Sequence, residues 1–468
     1  MIAGKEQFCR SAERTGTGGR DGLVLVLVLW VMIVMTAIVA VVSQTSRLNM
    51  KIATSAVDEL RCKWACRAGT EMAIGLLNED LRASDCLLDL WSDNDEDYNN
   101  VQLERCEYSV RVTDEAGKLN VNTATKEQLM MLPYMQEDIA DAILDWRDRD
   151  KNPRTEGVET GYYETLPYPY IARDGPFVTI RELLQVKGVT EELLYGEDTN
   201  LNGRLDNNEM DGALSPPADN SDDYLDQGWI AYLTCYSYDK NVDAQGNNRV
   251  NVNQADEQQL QTDLGIQAGQ ARWIVQNRGQ GFKSIADLLG ANTGQQPQGG
   301  PPAGPGPNQG NQGNQGRPGN QGNQGNQANQ TQAVPIDAQT FAQIADRITI
   351  VGQDKIPGRI NVNTAPWEVL AVLFGGDEQA EQIAHSIVAE RSGLLYGFQS
   401  IADLINVQSV GINNFKKVAD QITVRSDVFT VHCLATAVIS GARQQTECVV
   451  DRSATPCTIL YWYQGANY

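Results

Sequence analysis

The chain has 468 residues, enough for two or three domains with cores of their own, and 41% hydrophobic with 21% charged residues reads as globular. Its formal charge of −23 argues against a phosphate-binding surface, because nucleic-acid affinity rests largely on Lys and Arg displacing counterions. The same surplus of carboxylates suits a solvated surface and hard cations.

The first pronounced element is the uncharged run Leu23 to Val42, within "GRDGLVLVLVLWVMIVMTAIVAVV". Twenty residues of helix span about 30 Å, the thickness of a bilayer's hydrocarbon core. A secretory signal has a shorter apolar core and a small-x-small cleavage site after it; this run is longer and no such site follows. Lys5, Arg10, Arg14 and Arg20 precede it, against Arg47, Lys51 and Arg61 soon after, a contrast too small to set orientation by itself. Beyond the run, Val57, Leu60, Trp64 and Ala68, then Ile74, Leu77 and Leu81, step by threes and fours, which predicts an amphipathic helix continuing from the apolar one.

A short polar leader ending in Gly22, then a long helix with an apolar first half and a one-faced second half, resembles a type IV pilin or pseudopilin. The resemblance implies that a prepilin peptidase cuts after Gly22, making Leu23 the mature N-terminus. The plain alternative is a single-pass anchor that is never cut there. Most pilins carry Glu at the fifth mature position, and here that position is Leu27. A carboxylate in hydrocarbon costs about 2.5–3.5 kcal/mol unless paired, so a subunit with no neighbour to pair with does better without one. Among pseudopilins, the K subunit of the type II secretion system is similar in this respect.

Strands are expected next, with "CEYSVRVTDEAGKLNVN" read as a hairpin turning at Glu-Ala-Gly. Then one signal occurs three times: "LNVNTAT" at 119–125, "VNVNQAD" at 250–256 and "INVNTAP" at 360–366. Each opens a helix with an acidic first turn (Glu127, Glu257, Glu368), and the Asn side chains are expected to cap it. A second helix ending in Arg follows each, then a third element, "GPFVTIRELLQVKGV", "GFKSIADLL" or "GFQSIADLINVQSVG". This is an internal repeat. The modules resemble helix-hairpin-helix or SAM-like units, many of which bind DNA phosphates. Here the hairpins keep only fragments of a Gly-x-Gly turn, and acidic residues crowd two of them, so packing without nucleic acid is the expectation. The succession "DWRDRDKNPRTEGVETGYYETLPYPY" and the C-terminal "DVFTVHCLATAVISG…TECVVDRSA…ILYWY", read as antiparallel strands, extend the likeness to the K pseudopilins.

The sharpest local signal is "DTNLNGRLDNNE" at 198–209. Asp198, Asn200 and Asn202 take positions 1, 3 and 5 of an EF-hand-type loop, and Gly203 takes the tight sixth position. Arg204 would offer its backbone carbonyl, Asp206 would ligate directly or through water, and Glu209 would close the shell with two oxygens. The bland alternative is a solvated Asn/Asp-rich turn. Asp219, Asp222, Asp223 and Asp226 follow without a template for a second ion. Independently, the family resemblance implies calcium in this lobe.

Residues 291–334 are mostly Gln, Asn, Gly and Pro with a single charge, Arg317, and read as a flexible insertion. Nine cysteines lack metal-ligand spacing; with Cys9 set aside before the apolar run, eight remain. Cys86 with Cys106, and Cys448 with Cys457, are candidate bridges, and free buried thiols are equally compatible. No nucleophile elbow, P-loop or zincin motif occurs, and His385 and His432 read as packing residues, so an enzyme is not expected.

The expected fold is α+β: a long N-terminal transmembrane helix, a pilin-like antiparallel sheet and inserted helical modules. The segments are a leader at 1–22, a span at 23–42, stem and first strands at 43–118, module 1 at 119–196, the calcium loop at 197–227, a strand plus module 2 at 228–290, the linker at 291–334, a strand plus module 3 at 335–425 and C-terminal strands at 426–468. The function that the resemblance implies is a minor pseudopilin at the tip of the secretion pseudopilus. Its partners would be the I- and J-type pseudopilins, the prepilin peptidase and the inner membrane, with the bulk of the chain periplasmic. The rival reading is a membrane-tethered DNA receptor for uptake, using the hairpin modules. A calcium-dependent adhesin is a third.

Overall fold

The computed structural model describes residues 20–198, 200–201, 203–212, 214–215, 217, 219–290 and 332–466. The leader before Arg20, Cys9, Asn202 and linker residues 291–331 lie outside the described residues.

Helix α1, Arg20–Glu79, runs 60 residues, about 90 Å at 1.5 Å per residue. Its first half is exposed throughout and is long and apolar enough to cross a membrane. Its second half lies on a five-stranded antiparallel sheet in the order β1 (Val101–Leu103), β2 (Cys106–Asp114), β3 (Val428–Ala437), β4 (Arg443–Asp451), β5 (Thr458–Ala466). Along β2 every second residue is buried, the period-2 signature of a strand with one face on a core. Tyr108, Val110 and Val112 point at the stem, joined by Phe429, Val431 and Cys433 of β3.

The stem meets this sheet through Cys62, Ala65, Cys66, Ala73, Ile74 and Leu77, whereas Val57, Leu60 and Trp64 are exposed and Leu81, past the helix end, is exposed too. Of the expected stripe, Ile74 and Leu77 therefore face the sheet, whereas Val57, Leu60 and Trp64 face outward. Small residues won the inner face because the helix lies so close: a Cβ on Gly69 would sit 2.9 Å from the Tyr108 ring and from Val110 Cγ2.

Three modules follow, and each is closed by a strand that lies beyond its helices. Leu119–Asn120 pairs in parallel with Leu233–Thr234, Val250–Asn251 with Ile348–Thr349, and Ile360–Asn361 with Ile422–Thr423. The boundaries drawn at 228 and 335 cut across this order, because Leu233–Thr234 completes module 1 and Ile348–Thr349 completes module 2. The expected hairpin after β2 does not form either. A 3-10 turn at Glu115–Gly117, capped by Asp114, redirects the chain, and Leu119 leaves the sheet for its distant parallel partner.

The repeated Asn residues do not cap helices; Thr125 and Asp256 do. Instead each N-V-N is a hydrogen-bonded clamp. The first Asn accepts from the backbone N–H of the second, at 2.9–3.0 Å in all three copies. The second Asn grips a Phe backbone on both sides: Asn122 to Phe177, Asn253 to Phe282, Asn363 to Phe398. The Arg near or at the end of the second helix donates back to the strand's carbonyls. Arg147 reaches Val121 and Ala124, Arg278 reaches Val252 and Ala255, and Arg391 reaches Val362 and Ala365. The central valines, 121, 252 and 362, are wholly buried in one core shared by all three modules. The repeated residues thus satisfy each other, which is why they recur.

Two polar joints fix the modules in place. Asp114 at the end of β2 accepts from Asn361 (2.9 Å) and Thr364 (2.5 Å) of module 3 and from Ser426 (2.6 Å) just beyond it. Asp239 takes Arg249 and Arg359, each at 2.6 Å, tying module 2 to module 3. Desolvation of Asp239 is thus outweighed by two guanidinium groups, Arg249 and Arg359, which hold its pKa below the ordinary carboxylate value.

Candidate functional site

The loop at 198–209 follows the short helix Glu191–Tyr195 and ends in a 3-10 turn, Asn207–Glu209. Gly203 has φ +67, a left-handed conformation that favours glycine, and a Cβ there would also push the Arg111 guanidinium aside. The Gly203 amide donates to Asp198 at 2.9 Å, the Asp206 amide donates to Glu209 at 2.9 Å, and Asn200 Nδ2 reaches Asp206 at 2.8 Å and Glu209 at 3.5 Å. Asp198 and Glu209 are buried. Burial, with Asp198, Asp206 and Glu197 close by, pushes Glu209 up to about 7. The loop thus gathers Asp198, Asn200, Asp206 and Glu209 around one bend. A cation there requires the Asn200 amide turned oxygen-first, and Arg111, 3.8 Å from Asp198, is the positive group it would adjoin. The Arg204 side chain lines the cavity of about 830 Å³ between this lobe and the sheet; Asn202 lies outside the described residues.

The second acidic group of the lobe is already used. Asp219 accepts from the amides of Asp211, Gly212 and Ser221, so it serves as a turn-former. A different set, missed in the sequence, converges in module 1. Asp148, Asp150 and Glu159 offer oxygens all within 4.8 Å of one another. Both Glu159 oxygens and Asp148 Oδ1 are buried and have no hydrogen-bond partner. Burial, then Asp145, Asp148, Asp174 and Asp150, pushes Glu159 up to about 7. Arg154 pairs with Asp145 and Asp148 but leaves Glu159 unanswered. Oxygens stranded in this way are what a hard cation takes up, and the donor set fits one. Its D-x-D spacing was visible, but in so acidic a chain that spacing singles out nothing.

The other exposed feature is the outer stripe of the stem, Val57, Leu60 and Trp64, continuous with the apolar first half of α1. His385 is exposed and stacks on Trp367 at 4.6 Å, and half-buried His432 lies in β3. All eight described cysteines are free, and Cys106 neighbours Cys62 rather than Cys86.

Two segments match family models described as "Type II secretion system (T2SS), protein K", residues 114–195 and residues 360–425. No curated protein sequence matches the chain. Among solved structures it is similar, at 12% identity and a TM-score of 0.44, to a chain of the GspK-GspI-GspJ complex from the enterotoxigenic Escherichia coli type 2 secretion system. That similarity covers 88% of this chain and 99% of the other; a likeness at that level carries no argument. The segments matched by family models are the first module with the end of β2 and the third module, and in them the chain is similar to protein K of the type II secretion system.

Proposed function

We propose that the chain is a minor pseudopilin at the tip of the type II secretion pseudopilus, where it initiates assembly for the export of folded proteins. The observation that carries this reading is the stem. An apolar helix runs unbroken into a head domain, and its second half keeps an apolar stripe (Val57, Leu60, Trp64) turned away from its own sheet. Such a stripe suits packing beside sister stems. Leu27 leaves no charge in the membrane half, as befits a subunit with nothing above it. The head is periplasmic, the anchor lies in the inner membrane, and the partners are I- and J-type pseudopilins, with maturation by prepilin peptidase between Gly22 and Leu23.

Calcium braces the head in this reading, held by the Asp198–Glu209 loop, with Asp148, Asp150 and Glu159 as a second oxygen set. When bound it supplies charge neutralisation to carboxylates that otherwise repel one another. N-terminal sequencing of the protein from its native membrane tests the assignment, with Leu23 expected first. A photo-crosslinking side chain at position 64 is expected to capture another pseudopilin. A chain starting at Met1, with no pseudopilin captured, would overturn it.

A further inference from the structure

Four thiols meet where the stem lies on the sheet. Cys62 and Cys66 stand one turn apart on the inner face of α1, Cys106 opens β2, and Cys433 lies in β3; all four are buried. Their partners differ. Cys66 Sγ reaches backbone carbonyls, of Gln444 at 3.2 Å and Cys433 at 3.5 Å, and also has the Cys433 thiol beside it. Cys62 Sγ instead faces Cys106 Sγ at 3.4 Å, with the Ala442 carbonyl also at 3.4 Å. The two sulfurs come from segments 44 residues apart, one on the helix and one at the start of the first long strand.

We propose that Cys62 and Cys106 form a disulfide that fastens the stem to the sheet. The proposal rests on the reading above for one point, that the head lies in an oxidising compartment. The oxidant is the disulfide of a dithiol oxidoreductase. One thiolate of the pair attacks it to give a mixed disulfide, and the other thiolate then displaces the enzyme. The two thiols lose two protons and two electrons, and the oxidoreductase leaves as a dithiol. Exchange takes place before the helix docks, because both sulfurs are afterwards shielded from solvent. Burial also pushes the Cys62 thiol up to about 12, so docked Cys62 has almost no thiolate with which to react. The bond closes the chain around residues 63–105 and removes open conformations from the unfolded ensemble. It acts at the point where a load on the membrane helix passes into the head.

The test uses the full chain in its membrane. Protein is denatured in acid and thiols are tagged with a maleimide polymer, before and after reduction, while protease added to spheroplasts reports the compartment of the head. Of the eight cysteines that remain once the leader with Cys9 is removed, six are expected to tag before reduction, and all eight after. In Cys62→Ser and Cys106→Ser chains every remaining thiol tags without reduction, whereas Cys86→Ser still hides two. Full tagging of the unreduced wild type, with a head open to the protease, overturns the disulfide and leaves the pseudopilin reading intact. A hidden pair that persists in Cys62→Ser overturns it as well. A head closed to protease in spheroplasts overturns the compartment, and both proposals fall with it.

Discussion

Replacing Asn363 with Ala isolates the clamp of module 3. Asn363 and Phe398 are both buried, and the side chain makes two bonds to the Phe398 backbone, accepting from its N–H at 2.8 Å and donating to its carbonyl at 2.9 Å. Truncation leaves both groups without partners away from water. Each stranded group costs about 1–3 kcal/mol, so a loss of about 3 kcal/mol is a conservative sum. Module 2 holds the control. Asn253 makes the same pair of bonds to Phe282, at 2.7 and 3.1 Å, but both residues are only half-buried. Water replaces the lost partner there, and the cost falls to about 1 kcal/mol. Hydrogen exchange by mass spectrometry on the full chain in detergent reads each module separately. Asn363→Ala is expected to lower protection around Phe398 by roughly a hundredfold, and Asn253→Ala around Phe282 by only several-fold, since each 1.4 kcal/mol is a factor of ten. Equal losses in the two modules would refute the argument that burial, and not the bond itself, sets the cost.

Gly69→Val is expected to lower stability by about 1–3 kcal/mol through overpacking against Tyr108 and Val110, measured as a fall in Tm, while Leu60→Ser on the outer stripe leaves Tm nearly unchanged. Leu60→Glu, on the same stripe, is expected to keep the fold and abolish crosslinking from position 64 to other pseudopilins; retained crosslinking would remove that stripe from the interface. Chelation with EGTA is expected to lower Tm, and Glu209→Gln or Glu159→Gln to remove part of that difference, each reporting its own oxygen set. The pH dependence has a definite sign. Glu209 and Glu159 have an ordinary acidity of 4.5 and are held near 7 in the fold, so the folded state keeps protons that the unfolded state has lost. Without calcium, stability therefore falls as pH rises from about 4.5 to about 7, and the Tm gain from calcium grows over the same window; a calcium gain that is flat with pH would contradict this.

Much of the architecture was legible because it was repeated or periodic. The apolar run fixed the stem, alternation fixed the C-terminal strands, and three copies of N-V-N fixed the modules. What escaped notice has physical reasons. The strands closing modules 1 and 2 are two residues long, too short to alternate, and lie beyond an insertion. Val57, Leu60 and Trp64 fit a helical core stripe perfectly well by spacing. Spacing cannot say which of two apolar faces meets the sheet, and close packing chose the small residues at 62, 65, 66, 69 and 73. The Asn residues suggested caps because their commonest local bond is to a helix N-terminus; their true partners are Phe backbones 29 to 55 positions away. Glu159 joins Asp148 and Asp150 only through the fold.

Leu289 and Ile336 are bridged as parallel neighbours, so the Gln/Asn/Gly/Pro stretch leaves module 2 and re-enters it at almost the same place. Its two ends are held by the fold whatever lies between them. Doubling such an excursion costs only about 0.6 kcal/mol of closure entropy. The seam is therefore a natural port of entry, where an epitope or a fluorescent protein can be spliced in, or the stretch cut to a few residues, with the bundle around it undisturbed.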